Sequence, residues 1–534
     1  MLRSLLSGDP PRSRVLAALL VVALWPAFQS PGMPMDEGIA LVYPEMFLKG
    51  HLPYRDFETI YGPGNLAILS TVYSIFGTNI FVERAVGLIY RLVILLAIFG
   101  IVQRWGIFIA AGCAFVAGVF LGGSDLFANT WMAGVAFALC SLWTMADTDS
   151  RWRCFAAGVL GAVALLCRCD LGPAFIASAL PMFVFAKAEG KKRFLAGALL
   201  GLSPLVWFAI LVGPAQLVHS LFLFPVLHLR SASNFPMSAA KGDVLSMFYF
   251  HIAASIVNIA AGIVAIRSGD GRRGRLLLSV AILGLGSIYY ALARFDGGHV
   301  ANAAMVSISL LPASIFVLAS SKPKMLPAWI KSGLAIGVVV LTMQLIVPAF
   351  TRYFYRGIRV GLGFDRARQA SKSGEEIEPG DRGIFVKENG RSFPLATTQA
   401  AHAADEMLAD LQKVSLPGQR LFVGPGDLRR TSYCDTYLYH LMPQLRPATY
   451  FLEMNPGSTN APGSRLARDV ESADWLVLDR AWDLINEPNE SSEFGPDAPN
   501  EVVRTKFDFW SEYGPYLIFR NRRLRNFVVP PPAR

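Results

Sequence analysis

The stretch Tyr61-Gly-Pro-Gly-Asn-Leu-Ala-Ile-Leu-Ser-Thr-Val-Tyr-Ser-Ile-Phe-Gly77 decides the topology of the chain. Its apolar part, Asn65–Phe76, is short of the about 20 residues that a spanning helix needs. Apolar blocks of roughly spanning length lie at 15–30, 85–103, 106–122, 128–146, 154–169, 172–188, 194–212, 246–266, 276–293, 300–320 and 333–350. Place the Arg-rich N-terminus (Arg3, Arg12, Arg14) in the cytoplasm and let 65–76 lie at the interface. Arg104, Arg151 with Arg153, Lys191-Lys192-Arg193, the Arg272-Arg273-Arg275 cluster and Lys322 with Lys324 then all fall inside. Counting 65–76 as a span moves every cluster outside, against the positive-inside rule. The block therefore reads as an interfacial or re-entrant helix within a polytopic α-helical membrane protein of about eleven spans.

Composition agrees. Of 534 residues, 53% are hydrophobic and only 16% charged, and mean hydropathy is +0.42; soluble domains carry about 25% charged residues. The deficit lies in residues 15–350, whereas 351–534 look ordinary. The net charge of +10 sits mainly at the ends of apolar blocks, which places it on membrane loops and excludes nucleic acid as a partner. The apolar block Val15–Phe28 has the flanks of a signal peptide, but with so many later spans an uncleaved first helix is expected. Six cysteines (113, 140, 154, 167, 169, 434) are scattered and form no disulfide framework. No 20–50-residue repeat is visible, which weakens a repeat-built transporter.

This topology puts 31–64, 122–127, 168–172, 213–244 and 294–299 outside, with the tail from Tyr353 onward. The chain divides into a transmembrane part, 1–350, with its first outer loop at 31–84. A linker and β-hairpin follow at 351–398, then a soluble α/β domain at 399–534. In that domain Leu421–Gly424, Trp475–Asp479 and Tyr516–Phe519 are runs suited to buried strands, separated by helical stretches near 399–413, 432–442 and 464–472. Gly424-Pro-Gly-Asp427 lacks the spacing of a phosphate loop and reads as a turn.

The outer loops carry the chemistry. Asp36 and Glu37 are paired carboxylates just past the first span. A carboxylate there can accept a proton from an acceptor hydroxyl or hold a divalent ion beside a phosphate; equally, Asp36 can cap the next helix. Tyr54-Arg-Asp56 and Tyr61-Gly-Pro-Gly64 form either a substrate and phosphate surface through Arg55 or an interfacial belt. Ser124-Asp125 lies in a very short loop. Arg294-Phe-Asp-Gly-Gly-His299 places three ionisable groups between two apolar helices, for a phosphate leaving group or as a self-satisfied Arg294–Asp296 pair. Arg168-Cys-Asp170 is a weaker signal of the same kind. His219, His228 and His251 share no ligand spacing, and no cluster in the chain has clear metal spacing.

Asp-Glu-Gly at 36–38, Gly-x-x-Pro-Tyr-Arg-Asp-Phe at 50–57, Tyr-Gly-Pro-Gly at 61–64 and the apolar helix ending Phe76-Gly77 resemble the first outer loop of bacterial GT-C glycosyltransferases. These include the lipopolysaccharide-core glycosyltransferase-like group and relatives of aminoarabinose and protein mannosyl transferases. The match continues to Arg84, and Arg294-x-Asp-x-x-His299 is similar to a later outer-loop pattern. The resemblance implies an inverting transfer at the extracytoplasmic face of the bacterial inner membrane. The donor would be a polyprenyl-phosphate sugar, the acceptor a glycan, lipid or protein, and the tail periplasmic. It implies Asp36, Glu37 and Asp125 as catalytic residues, Arg55, Arg294 and His299 on the donor phosphate, and Tyr54, Asp56, Tyr61 and Asp296 on substrate. No cofactor is assigned, though a divalent cation is compatible with the chemistry. Relatives more often carry Tyr-Pro-Pro-Gly where this chain has Tyr-Gly-Pro-Gly. Two other readings compete. A polysaccharide polymerase or ligase would use the 213–244 loop with His219, His228 and Arg230; a lipid or solute transporter would place charges at mid-membrane, where Arg91 is the clearest case in a chain whose ionisable groups sit mainly at span ends.

Overall fold

The computed structural model describes residues 10–146, 150–229, 232–320, 327–362, 382–431 and 433–525. Arg3, Arg230, Lys322, Lys324 and residues 363–381 of the 351–398 linker lie outside these. Apolar helices form one bundle: α1 (Pro10–Leu24), α2 (Asp36–Leu48), α3 (Pro63–Phe76), α4 (Ile80–Val102), α5 (Ile107–Gly122), α6 (Thr130–Met145), α7 (Arg151–Cys167), α8 (Gly172–Phe183) and α9 (Ala188–Val212). After a segment wound partly as π-helix (His219–Leu223, Pro225–Leu229) come α10 (Gly242–Arg267), α11 (Gly271–Gly286), α12 (Ile288–Ala293), α13 (Gly297–Ser320) and α14 (Ala328–Ile346). Among the described residues six helical stretches are long and apolar enough to cross a membrane. The chain is a multi-pass membrane protein. Shorter apolar helices, α1, α5 and α6 among them, fill in the bundle.

The block at 65–76 is helix α3. It starts where Pro63 occupies the first turn, as Pro favours. It lies against α2, with Tyr73 and Ser70 hydroxyls donating to Ala40 O and Pro44 O. Its far end leaves Ile75 and Phe76 exposed. Gly62 explains the departure in the tyrosine motif: a Cβ there would stand 2.1 Å from Leu166 O, so the chain can approach α7 this closely only without a side chain.

The last apolar block ends earlier than the hydropathy predicts. Helix α14 stops at Ile346, and Pro348 opens α15 (Pro348–Gly361), which is strongly amphipathic and packs on α1 and α5. Phe354 is its buried anchor.

The tail is an α/β domain. A hairpin of β1 (Ile384–Glu388) and β2 (Arg391–Leu395) turns at Asn389-Gly390, both at positive φ as a two-residue turn requires. Behind α16 (Thr398–Val414) lies a five-stranded mixed sheet. Its strands are β3 (Arg420–Pro425), β4 (Arg446–Pro447), β5 (Trp475–Asp479), β6 (Phe507–Tyr513) and β7 (Tyr516–Asn521), in the order β4-β3-β5-β7-β6. Strand β6 escapes sequence reading because it is an edge strand whose side chains are mostly exposed. The domain sits on α2 and on the residues that flank it, within 31–64. Arg391 grips Glu45 of α2 at 2.6 and 2.9 Å, Tyr437 N donates to Pro34 O, and Glu58 N donates to Tyr450 O.

Candidate active site

Between the bundle and the soluble domain lies a cavity of about 1380 Å³. That exceeds the several hundred Å³ of an ordinary small-ligand pocket. One wall is apolar, with Leu221, Phe222 and Val226 from the π-wound segment and Ile346 and Phe350 from the α14–α15 break. The cavity lining also carries the charged and titratable groups Asp36, Asp125, Arg168, Arg294, Asp296 and His299. Four separate loops thus converge on one space.

Two neighbouring residues on α4 hold this arrangement. Arg84 donates to both carboxylate oxygens of Glu37, at 2.6 and 2.9 Å, and its Nη1 donates to Ala27 O, Phe28 O and Ser30 O. It ties the end of the first helix to the start of α2. Glu83 next to it accepts from Ala128 N at 2.5 Å and so fixes the loop bearing Asp125. Arg91, one of the cavity arginines, is buried and spends its donors on Gly87 O, Phe127 O and Ser124 Oγ.

Asp36 stands in the first turn of α2, but its side chain caps nothing and makes no hydrogen bond among the described residues. Burial raises its pKa, His299 and Arg294 pull it down, and Asp125 and Glu37 push it up. A recessed carboxylate with cations in reach and no partner is free to accept a proton. Asp125 is exposed to the cavity on its short loop.

Arg294 reaches across the domain junction. It donates to Glu487 at 2.5 and 3.0 Å, to Tyr433 Oη at 2.9 Å and to Asp296 at 2.9 Å. His299 contacts Asp296 at 3.0 Å through Nδ1 and donates its backbone N–H at 2.8 Å. Against the cost of burial, these His299 contacts and Arg294 hold the Asp296 carboxyl down to about 2. The self-satisfied pair read in the sequence is present, and a third partner from the tail completes it. Arg168 pairs with Asp170 at 2.8 Å and lies between the rings of Tyr61 and Tyr290, 5.4 and 5.2 Å from their centres.

Several expected site residues sit elsewhere. Glu37 lies in the buried ion pair with Arg84 and does not line the cavity. Tyr54, Arg55 and Asp56 form a closed turn outside it. Tyr54 takes φ +68 and donates its hydroxyl to Tyr61 O; Asp56 accepts from Leu52 N and from Arg55. Arg55 spends its charge on its neighbour, at the surface. Of that group only Tyr61 faces the cavity, donating to Glu453 at 3.1 Å.

Four cavity residues carry no sequence signal: Arg352 on α15, and Tyr433, Glu453 and Glu487 from the tail. Arg352 is exposed and has no ion-pair or hydrogen-bond partner among the described residues. Only the strong amphipathicity of 348–361 could have pointed to it. Among the described residues no group of three or more His, Cys, Asp or Glu side chains is placed to hold a metal ion.

The chain matches no family model, and no curated protein sequence matches it significantly. Solved structures do match. The crystal structure of ArnT from Cupriavidus metallidurans bound to undecaprenyl phosphate is 14% identical, with a TM-score of 0.53, over 94% of this chain and 96% of that one. The apo form of the same ArnT gives 14% identity and a TM-score of 0.52, over 95% and 97%. The fold is the GT-C fold. The alignment runs nearly end to end, so the shared architecture takes in the bundle and the tail domain of this GT-C-fold protein alike.

Proposed function

We propose that this protein is an inverting membrane glycosyltransferase. It moves a sugar from a polyprenyl-phosphate donor to a hydroxyl of a glycan, lipid or protein acceptor at the extracytoplasmic face of the inner membrane. The observation that carries this reading is the unpartnered carboxylate of Asp36 in a large cavity lined by both apolar and charged side chains. The apolar lining suits a prenyl chain, and the charged groups suit a sugar phosphate. Undecaprenyl phosphate bound to ArnT, which shares the fold, supports the same donor class.

In this reading Asp36 takes the proton of the acceptor hydroxyl. The oxygen attacks the anomeric carbon from the face opposite the phosphate. The bond from that carbon to the phosphate oxygen breaks, and polyprenyl phosphate leaves with the electron pair. The configuration inverts. The leaving group gains negative charge, and a preorganised cation that meets it lowers the barrier. Arg352 lines the cavity, is exposed and makes no ion pair or hydrogen bond among the described residues, so its charge is available to that phosphate. Arg294, already paired with Glu487 and Asp296, holds the soluble domain in place and adds a longer-range field.

The test is transfer of labelled sugar from undecaprenyl-phosphate pentoses and hexoses in proteoliposomes. Wild type should release undecaprenyl phosphate in step with glycosylated acceptor. Coupled ion or lipid movement without any glycosidic product would replace the transferase by a transporter.

A further inference from the structure

Two buried polar atoms facing this cavity have no partner. Glu453 is 4% exposed, and its Oε2 makes no hydrogen bond; Tyr43 is 6% exposed, and its hydroxyl makes none either. Both residues line the cavity beside Asp36. Unsatisfied buried polar groups are rare because each costs the full price of desolvation. Two of them on one cavity wall point to a ligand whose own polar groups complete them.

The pair comes from two parts of the fold. Tyr43 projects from α2, two turns along from Asp36, while Glu453 is brought by the tail in the segment that carries Asn455 and Ser458. The other oxygen of Glu453 already accepts from the Tyr61 hydroxyl at 3.1 Å. The titratable groups facing Glu453 are Asp36, Tyr43, Glu58, Tyr61 and Cys434, none of them a cation.

We infer that Glu453 and Tyr43 form a hydroxyl-recognising subsite, shared between the tail domain and α2, that positions a polyhydroxylated sugar ring beside Asp36. The inference rests on the transferase reading and assigns the tail a direct part in binding substrate. Burial, with Asp36 and Glu58 nearby, pushes the Glu453 carboxyl up to about 8. At neutral pH it is therefore a hydrogen-bond donor, and burial keeps the Tyr43 hydroxyl protonated as well. Asp36, by contrast, has Arg294 and His299 in reach. The two neighbouring carboxyls thus sit in different electrostatic surroundings, one with Arg294 in reach and one facing no cation.

Two measurements test this. In transfer assays Glu453→Ala and Tyr43→Phe should each raise KM for the sugar-bearing substrate by roughly tenfold, the loss of a hydrogen bond made to a site built for it. Binding of undecaprenyl phosphate alone should stay at the wild-type level. Glu453→Gln, which keeps a donor, should recover much of the loss seen with Ala, and it should lack the fall in activity expected of wild type above about pH 8. Infrared spectra decide the matter without turnover. The wild-type protein at pH 7 should show a protonated-carboxyl C=O band that Glu453→Gln removes, shifted by undecaprenyl-phosphate sugars and unmoved by undecaprenyl phosphate. If no such band exists, or sugars leave it unmoved, the subsite is wrong even where wild type transfers sugar. If the band responds to sugars but nothing is transferred, the subsite stands and the transferase reading falls.

Discussion

Arg84 and Glu37, 47 residues apart, form a buried ion pair with both carboxylate oxygens engaged, at 2.6 and 2.9 Å. Arg84 is 1% exposed and Glu37 2%. The two adjacent acids of the Asp-Glu-Gly motif therefore divide their work. Glu37 points inward and anchors the loop, which leaves Asp36 to face the cavity. Removing one partner of a buried pair strands the other charge and costs about 3–5 kcal/mol. Arg84→Ala and Glu37→Ala should each lower the unfolding midpoint in detergent and reduce yield, whereas Asp36→Asn should leave both unchanged. Equal destabilisation by all three would contradict this division.

Arg352 should act on the donor. A hydrogen bond to a charged group contributes about 1.5–3 kcal/mol, so Arg352→Ala should weaken undecaprenyl phosphate binding by roughly 10-fold or more. Arg55→Ala, whose charge is spent on Asp56 at the surface, should bind the lipid as wild type does. Calorimetric or thermal-shift titration with undecaprenyl phosphate reads both. The reverse ranking would return the phosphate to the first outer loop.

Glu487 and Tyr433 clamp Arg294 across the domain junction. Glu487→Ala should loosen the tail from the bundle, seen as faster amide exchange in 482–493 and in the 294–299 loop. Exchange in both segments unchanged from wild type would mean that the junction is held elsewhere.

Glu58 makes this junction sensitive to pH. Its carboxyl lies buried under the tail, accepting from Ser458 at 2.7 Å and from Asn455 at 3.4 Å. Burial raises its pKa from 4.5 to about 7, against the pull of those bonds. The folded state keeps a proton that the unfolded chain gives up, so this contribution is full below about pH 4.5 and is lost as pH rises to about 7. Wild-type stability should therefore fall through that window relative to Glu58→Gln, followed by thermal unfolding at a series of pH values. Parallel curves for the two proteins would show that Glu58 is not the group responsible.

How far the sequence led follows from what each residue needs. The long apolar helices were legible because apolar length is a local property: of about eleven blocks read as spans, six form helices long and apolar enough to cross a membrane among the described residues. The apolar block at 65–76 was legible for the same reason, and the structure shows it as a 14-residue helix packed on α2. The loops bearing Asp36, Asp125, Arg168 and Arg294 stood out because charges beside long apolar helices are conspicuous, and the structure brings all four into one cavity. The role of Glu37 was not legible, since it depends on Arg84 arriving from α4. Nor was that of Arg55, which depends on a turn that closes on itself. Glu453, Glu487 and Tyr433 reach the cavity only because the tail docks on the bundle, and no spacing within the tail announces it.

The central claim is that Asp36 is the base of a glycosyl transfer. Its most direct test is the rate of sugar transfer by Asp36→Asn in proteoliposomes, with expression, unfolding midpoint and undecaprenyl phosphate binding measured on the same sample. Transfer should fall by a factor of about 10² or more, the usual contribution of a general base, with the other three properties at wild-type values. Transfer at the wild-type rate in that variant would contradict it.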